Sequence, residues 1–419
     1  MTVRMRYKRV RCGISAQAVS AAAALRNVRS IKMSVYKITP SLMYTGVSDT
    51  SIDLFESQYP VPHGVTYNSY LLFGEKTVLF DTADRRVSAE WLANVEQAAA
   101  GRSIDYLVVS HMEPDHSASL ALAADKYPDM KIVGNAKTFQ IAEAFFGPLG
   151  DRKVIVGEGD SLDIGGRVLR FFTAPMVHWP EVMVTFDESD GTLFSADAFG
   201  RFGLPDDPGS WEEEARRYYF NIVGKYGSSV QALLKKLSGL DVRRICPLHG
   251  PVLSDDLGRY VSLYDLWSSY KSEERGVLIA VASIYGHTLE AAELLKDCLS
   301  ERGESNVKII DLTRTDASYA VADAFRYDTL VVAASSYDAG VFRPMEEFLR
   351  RLKSKNWNSR SFAVVENGSW APSAAKTVKA VFSEMKDLSE IGTTVTVRSA
   401  LSEESRAAVK ALADAVSSR

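Results

Sequence analysis

Residues 106–110 (YLVVS) are apolar and are followed at once by His111-Met-Glu113-Pro-Asp115-His116, so two imidazoles and two carboxylates crowd the point where a buried strand ends. Three later segments end in the same way: His178 follows LRFFTAPMV, Asp197 follows GTLFSA, and His249 follows RRICPL. Any fold for this chain must therefore bring four strand ends to one place. Side chains alternate across a strand, and the loop that leaves it can aim residues i, i+2 and i+4 at one point. His111, Glu113 and Asp115 form such a set. With His178, Asp197 and His249 they make three imidazoles and three carboxylates, which suits two metals sharing a bridging carboxylate. No cysteine takes part, and an all nitrogen and oxygen donor set favours iron or manganese over a structural zinc.

A chain of 419 residues with ordinary apolar and charged content is expected to form at least two domains with sizeable cores. The net charge of -4 and the lack of lysine and arginine runs interleaved with aromatics argue against nucleic acid or an anionic membrane as a partner. Cys12, Cys246 and Cys298 are scattered without a CxxC pair, so neither a disulfide framework nor a thiolate iron site is encoded. No stretch approaches the ~20 consecutive apolar residues of a membrane-spanning helix, and a soluble protein is expected.

Residues 1–33 differ from the rest. Arg4, Arg6, Lys8, Arg9, Arg11, Arg26, Arg29 and Lys32 stand among alanine and serine with no acid. This composition fits either an organelle transit segment or upstream sequence read from too early a start at Met1 rather than Met33. The expected location is the cytoplasm, or the lumen of an anaerobic organelle if the segment is a transit peptide.

From residue 34 to 271, short strands and helices follow one another in an order that fits a sandwich of two mixed sheets covered by helices, with the ligand loops along one edge. The helical spacing of VSAEWLANVEQAAAG stops at Gly101. Around SSYKSEERG the chain becomes polar and its rhythm changes. From residue 276 to 419 strand and helix alternate about five times, which argues for a doubly wound parallel sheet with helices on both faces.

The first strand of that part, GVLIAVAS, runs into Ser283-Ile284-Tyr285-Gly286-His287-Thr288, where hydroxyls, backbone amides and a helix N-terminus can hold a phosphate. Flavodoxins have a T/S-x-T/S-G-x-T turn there, which this turn resembles apart from Tyr285 and His287. Two later loops lie at the same carboxyl edge: Ser335, Ser336, Tyr337, Asp338, Ala339 and Gly340 follow the third strand, and Asn367, Gly368, Ser369 and Trp370 follow the fourth. Tyr337 and Trp370 could cover a face of an isoalloxazine ring, so FMN is the expected ligand.

The first half resembles the metallo-β-lactamase superfamily, whose hydrolases read H-x-H-x-D-H at the first loop. Glu113 replaces the second histidine, as in flavodiiron proteins (A-type flavoproteins), where the later His, Asp and His follow in the order found here. SIDLFESQYPVPHGVTYNSYLL (residues 51–72) and YYFNIVGKYGSSVQALLKKL (residues 218–237) are similar to that family too. The resemblance implies an N-terminal metallo-β-lactamase-like αββα sandwich fused to a flavodoxin-like domain. It also implies a non-haem diiron centre fed by FMN, reducing dioxygen to water or nitric oxide to nitrous oxide. By that resemblance His111, Glu113 and His178 bind one iron, Asp115 and His249 the other, and Asp197 bridges. His116 stands outside the ligand set and orients a ligand or donates a proton, and Tyr218 or Tyr219 faces the substrate pocket.

The resemblance further implies a head-to-tail homodimer or tetramer. The electrons would come from an external donor, a rubredoxin-like protein or a reduced deazaflavin, since no rubredoxin-like segment follows Arg419. Two rival readings differ in metal content: a metallo-β-lactamase-type hydrolase would hold zinc, and an FMN electron carrier with an inactive site would hold none. Glu113 and the flavodoxin-like half both speak against the hydrolase.

Overall fold

The computed structural model describes residues 35–207 and 209–419. The basic extension of residues 1–33 lies outside the described residues. Residues 34–419 form one compact unit.

Two mixed sheets make the first half. One has seven strands. Its antiparallel part, Tyr36–Thr39, Leu42–Tyr44, Tyr70–Phe73 and Thr77–Phe80, is continued in parallel by Tyr106–Val108, Lys131–Gly134 and Lys153–Ile155. The other has five: Ser161–Asp163, Val168–Thr173, Met183–Asp187 and Thr192–Phe194 are antiparallel, and Arg244–Cys246 pairs in parallel with the last of these. Thr77–Phe80 and Met183–Asp187 are buried at every position, as strands covered on both faces are. The sheets meet through Phe80 and Phe194, whose rings stack at 3.7 Å. The helix Ser88–Ala99 stops two residues before Gly101, because Ala100 already adopts the left-handed conformation at φ 48°.

The third sheet is the expected doubly wound one. Its strands lie in the order Val307–Asp311, Glu274–Ala282, Tyr327–Tyr337, Arg360–Asn367 and then Leu388–Glu390 and Val395–Val397, all parallel. In sequence terms the second strand lies outside the first and the third on its other side. The connections therefore reverse direction between the first and third strands, the switch point at which such sheets bind ligands.

The polar stretch between the halves is not a free linker. Glu273 accepts from the Trp267 indole at 2.6 Å and from Arg216, so its charge is used in packing. On the helix Trp211–Ile222, Phe220 stacks on Phe325 at 4.0 Å, and the Arg217 guanidinium lies 4.4 Å from both the Phe202 and Tyr319 rings. Arg360 donates to the carbonyls of Tyr270, Phe325 and Tyr327. Apolar and cationic side chains thus lock the third sheet against the helices of the first half. Among the described residues no helix is long and apolar enough to cross a membrane, and Cys246 and Cys298 are buried free thiols.

Candidate metal centre and flavin cradle

The strand ends meet as the spacing requires. His111 and Asp197 each leave a strand by a short loop, Ala196 before Asp197 being held at φ 51°. His111 Nε2 lies 3.3 Å from both Glu113 Oε2 and Asp197 Oδ2, and His178 Nε2 lies 3.0 Å and 3.1 Å from the same two oxygens. Beside this group is a second. His116 Nε2 is 3.0 Å from His249 Nε2, 3.2 Å from Asp115 Oδ2 and 3.4 Å from Asp197 Oδ1. Asp197 therefore presents Oδ2 to one group and Oδ1 to the other.

These residues fit a pair of metal ions. Both oxygens of Asp115 and Asp197 are buried without a hydrogen-bond partner, an arrangement that is costly unless a cation completes it. Separations of 3.0–3.4 Å between donors are the edges expected of a coordination shell with bonds of about 2.1 Å. His116 departs from the sequence expectation. The resemblance implies a place outside the ligand set, whereas its Nε2 clusters with the donor atoms of Asp115 and His249. Pro114 starts the short helix Pro114–Ser117, and helical steps of about 100° let the neighbours Asp115 and His116 face the same point, which strand alternation forbids.

Two residues that sequence reasoning missed hold the ligands. Glu181 Oε1 accepts from His111 Nδ1 at 2.8 Å and from the Met112 amide at 2.9 Å, and Asp81 accepts from the amides of Ser110 and His111. His249 Nδ1 donates to the Thr66 carbonyl at 2.6 Å. The two bonds at Nδ1 leave the Nε2 lone pairs of His111 and His249 free to bind metal. Glu181 lies three residues after His178 in the HWPE run, the one signal that could have found it.

Without metal the cluster neutralises itself. Burial lowers His178, but Asp197 and Glu113 outweigh it and carry the imidazole up to about 9. Burial likewise opposes a charged His111, yet Asp197, Glu113 and Glu181 hold it well above its ordinary range. Burial alone would raise Asp197, but His111, His116 and His178 keep it well below the usual carboxylate range. The metal-free centre therefore carries protons at neutral pH that a metal must displace. Metal uptake at pH 7 is expected to release protons, and affinity should rise as pH approaches about 9, about tenfold per unit for each proton displaced. Indicator-dye titration in weak buffer measures this, and uptake without proton release would contradict it. The same shift makes the His178 contribution to metal-free stability fully present below 6.5 and lost as pH rises through about 9.

Tyr218 and Tyr219 separate. Tyr218 packs against the site, its ring 5.4 Å from that of His249, whereas Tyr219 packs in another aromatic cluster with Tyr264 and Trp267. Phe55 meets His249 edge-on at 5.2 Å. A cavity of about 300 Å³ lined by Phe55, Tyr67, Arg86, Glu113 and Asp115 reaches the ligands from outside.

The other candidate site lies at the switch point of the parallel sheet. A cavity of about 530 Å³ is lined by Ser283, Ile284, Tyr285, His287, Thr288, Ser335, Ser336, Tyr337, Asp338, Ala339, Asn367, Gly368, Ser369 and Trp370, together with Ala371, Ser373 and Ser399, which the sequence did not suggest. Gly286 precedes the helix His287–Glu301 at φ 98°, and no side chain caps that helix, so its first amides are free for an anion. Thr288 and Ser335 place their hydroxyls 3.0 Å apart. Gly340 is set back from the cavity wall and closes a turn with Tyr337 through Asp338 and Ala339, both left-handed. Tyr285 and Trp370 are 91% and 89% exposed, rings left free to cover a planar ligand. The size, the hydroxyl-lined phosphate turn and the free aromatics fit a flavin mononucleotide.

A family model described as ODP family beta lactamase matches residues 65–250. A protein named putative diflavin flavoprotein A 2 from Synechocystis sp. is 31% identical over 300 residues, 70% of this chain and 50% of the relative, so the chain spans half the length of that protein. A protein named anaerobic nitric oxide reductase flavorubredoxin, from Vibrio vulnificus, is 29% identical over 353 residues, covering 81% of this chain and 71% of its own. The solved structure of a rubredoxin oxygen:oxidoreductase from Desulfovibrio gigas shares the fold with a TM-score of 0.85 at 24% identity, over 92% of this chain and 98% of that one.

Proposed function

Because this chain belongs to the flavodiiron protein family, we propose that it is an oxidoreductase that reduces dioxygen to water, nitric oxide to nitrous oxide, or both. The chemistry that FMN and two irons supply when bound is single-electron delivery from a two-electron carrier to a redox-active pair. The observation that carries the reading is Asp197, which offers one carboxylate oxygen to each of two histidine and carboxylate groups, in a chain that also carries a flavin-sized cradle.

The protein's own residues have distinct tasks in this reading. His111, Glu113 and His178 hold one iron, Asp115, His116 and His249 the other, and Asp197 is common to both. Glu181 and the Thr66 carbonyl keep the imidazole Nε2 atoms of His111 and His249 directed inward. Phe55, Tyr218 and Phe202 exclude water from one side, and their low polarity suits small uncharged gases. Ser283, Thr288 and the first amides of the helix His287–Glu301 hold the flavin phosphate, while Tyr337 and Trp370 cover the ring.

The electrons come from a small external donor, a rubredoxin-like protein or a reduced deazaflavin, that docks at the flavin edge. A head-to-tail homodimer or tetramer would place the flavin of one subunit beside the irons of another. Hydrolysis at a metal-bound water would leave the flavin cradle without a use. The test is steady-state consumption of each gas by the chemically reduced enzyme: uptake of at least one gas, in proportion to iron and FMN content, supports the reading, and uptake of neither overturns it.

A further inference from the structure

The buried aromatic cluster that takes in Tyr219 is continuous from the metal centre to the surface. It begins two residues from the bridging Asp197. Phe199 donates its amide to Tyr264 Oη at 2.5 Å and lays its ring 4.2 Å from that of Tyr264. From Tyr264 the next ring is Trp267 at 5.5 Å, then Trp211 at 6.1 Å with planes 10° apart, then Tyr260 at 4.6 Å. Tyr264 and Trp267 are fully buried, Trp211 is nearly so, and Tyr260 is only partly covered. Tyr219 lies 5.1 Å from Tyr264 and 5.3 Å from Trp267, doubling the inner step.

Aromatic clusters ordinarily only pack. Two features set this one apart. After Phe199 every ring on the path is a phenol or an indole, the side chains that give up an electron most readily, where phenylalanine would fill the same space. At the midpoint, Trp267 donates its indole N–H to Glu273 at 2.6 Å. The carboxylate is shared with the Arg216 guanidinium, which holds it in place, and as the indole is oxidised it can take the indole proton and return it.

We propose that Tyr264, Trp267, Trp211 and Tyr260 form a discharge path that carries oxidising equivalents from the metal centre to the surface when electron supply fails in mid-turnover. The inference rests on the oxygen-reducing reading above. Dioxygen needs four electrons to become water, and a chain whose donor is exhausted stops short. One electron then moves inward from Trp267 to the centre while its N–H proton passes to Glu273. Trp211 and Tyr260 refill Trp267 in turn, and the oxidised ring at the surface is restored by a small thiol. Two thiols give two electrons and two protons and become one disulfide, so two discharge events are balanced. Without the path, the oxidising equivalents would be spent on the nearest side chains, among them the ligand histidines and Tyr218.

The holoenzyme, its iron and FMN contents measured, is reduced with fewer electrons than dioxygen requires, exposed to dioxygen and freeze-quenched for electron paramagnetic resonance with ring-deuterated tyrosine or tryptophan. The expected result is a protein radical on Trp211 or Tyr260 in the parent enzyme, lost in Trp267→Phe. In repeated donor-starved cycles Trp211→Phe should lose activity several-fold faster than the parent, at an unchanged initial rate. Trp211→Tyr, which restores an oxidisable ring of different shape, should survive like the parent, an outcome that packing alone does not give. Full dioxygen uptake under ample donor together with no protein radical in the donor-starved sample, or equal survival of Trp211→Phe and the parent, would overturn the path and leave the functional reading intact. Absence of dioxygen uptake under ample donor would overturn both.

Discussion

Replacing Asp197 with alanine is expected to empty both metal groups at once and abolish reduction of either gas, with the flavin content unchanged. Its carboxylate faces both groups: Oδ2 lies 3.1 Å from His178 Nε2 and Oδ1 lies 3.4 Å from His116 Nε2. Loss of a residue that merely orients a ligand costs ~10–100-fold in metal affinity, so loss of a ligand shared by two ions should exceed that. The cradle in the parallel sheet takes no residue from this loop, and FMN should stay bound. Asp197→Asn, which keeps the shape but not the charge, separates metal loss from misfolding: it should fold like the parent and still bind less iron. Metal analysis beside the flavin absorbance reads both variants, and a fully active Asp197→Ala enzyme would refute the assignment.

Gly286→Val is the complementary case. Gly286 sits at φ 98°, a conformation that a β-branched residue resists, while a Cβ there would meet nothing within 4 Å. The substitution therefore acts through the backbone and not through a clash. Forcing such a residue into this region costs about 1–3 kcal/mol, which corresponds to roughly 5- to 150-fold weaker FMN binding if the turn relaxes. Iron should remain, because no metal ligand lies on that turn. Turnover with an external donor should fall in step with flavin occupancy and recover as FMN is added in excess. Equilibrium dialysis with FMN measures the affinity, and unaltered affinity would mean that the phosphate is held elsewhere. Together the two variants make a cross: one keeps flavin and loses iron, the other keeps iron and loses flavin, and both stop turnover. A zinc hydrolase would show no dependence on Gly286, and a flavin carrier none on Asp197.

The parts of this design that could be read from the chain are those with a local signature. Apolar runs of strand length ending in His111, His178, Asp197 and His249 announced a convergent site, because a ligand must follow a buried strand to reach the end of a sheet. The doubly wound half was legible for the same reason, as its strands are buried on both faces and alternate with helical periods. The rest depended on partners distant in sequence. Glu181 is set by a bond to His111 seventy residues before it, and Asp81 by two amides twenty-nine and thirty residues on. Neither has a periodicity to betray it.

The resemblance implies that His116 stands outside the ligand set, whereas the helical turn that begins at Pro114 brings its Nε2 beside Asp115 and His249. Tyr218 and Tyr219 could not be told apart in sequence because adjacent residues on a buried helix both look apolar. Their different fates follow from the helix Trp211–Ile222 having one side against the metal loops and another against Tyr264 and Trp267. The polar stretch around Glu273 read as a joint, yet its charge is consumed by Arg216 and Trp267 within the packing.

In the proposed function a flavin in this polypeptide feeds a pair of redox-active metals held only by imidazole and carboxylate. Its most direct test is the metal and flavin content of the protein produced with ample iron and riboflavin, read before any assay. The expected product is a coloured protein with two irons and one FMN per chain. A colourless product that carries zinc would contradict it.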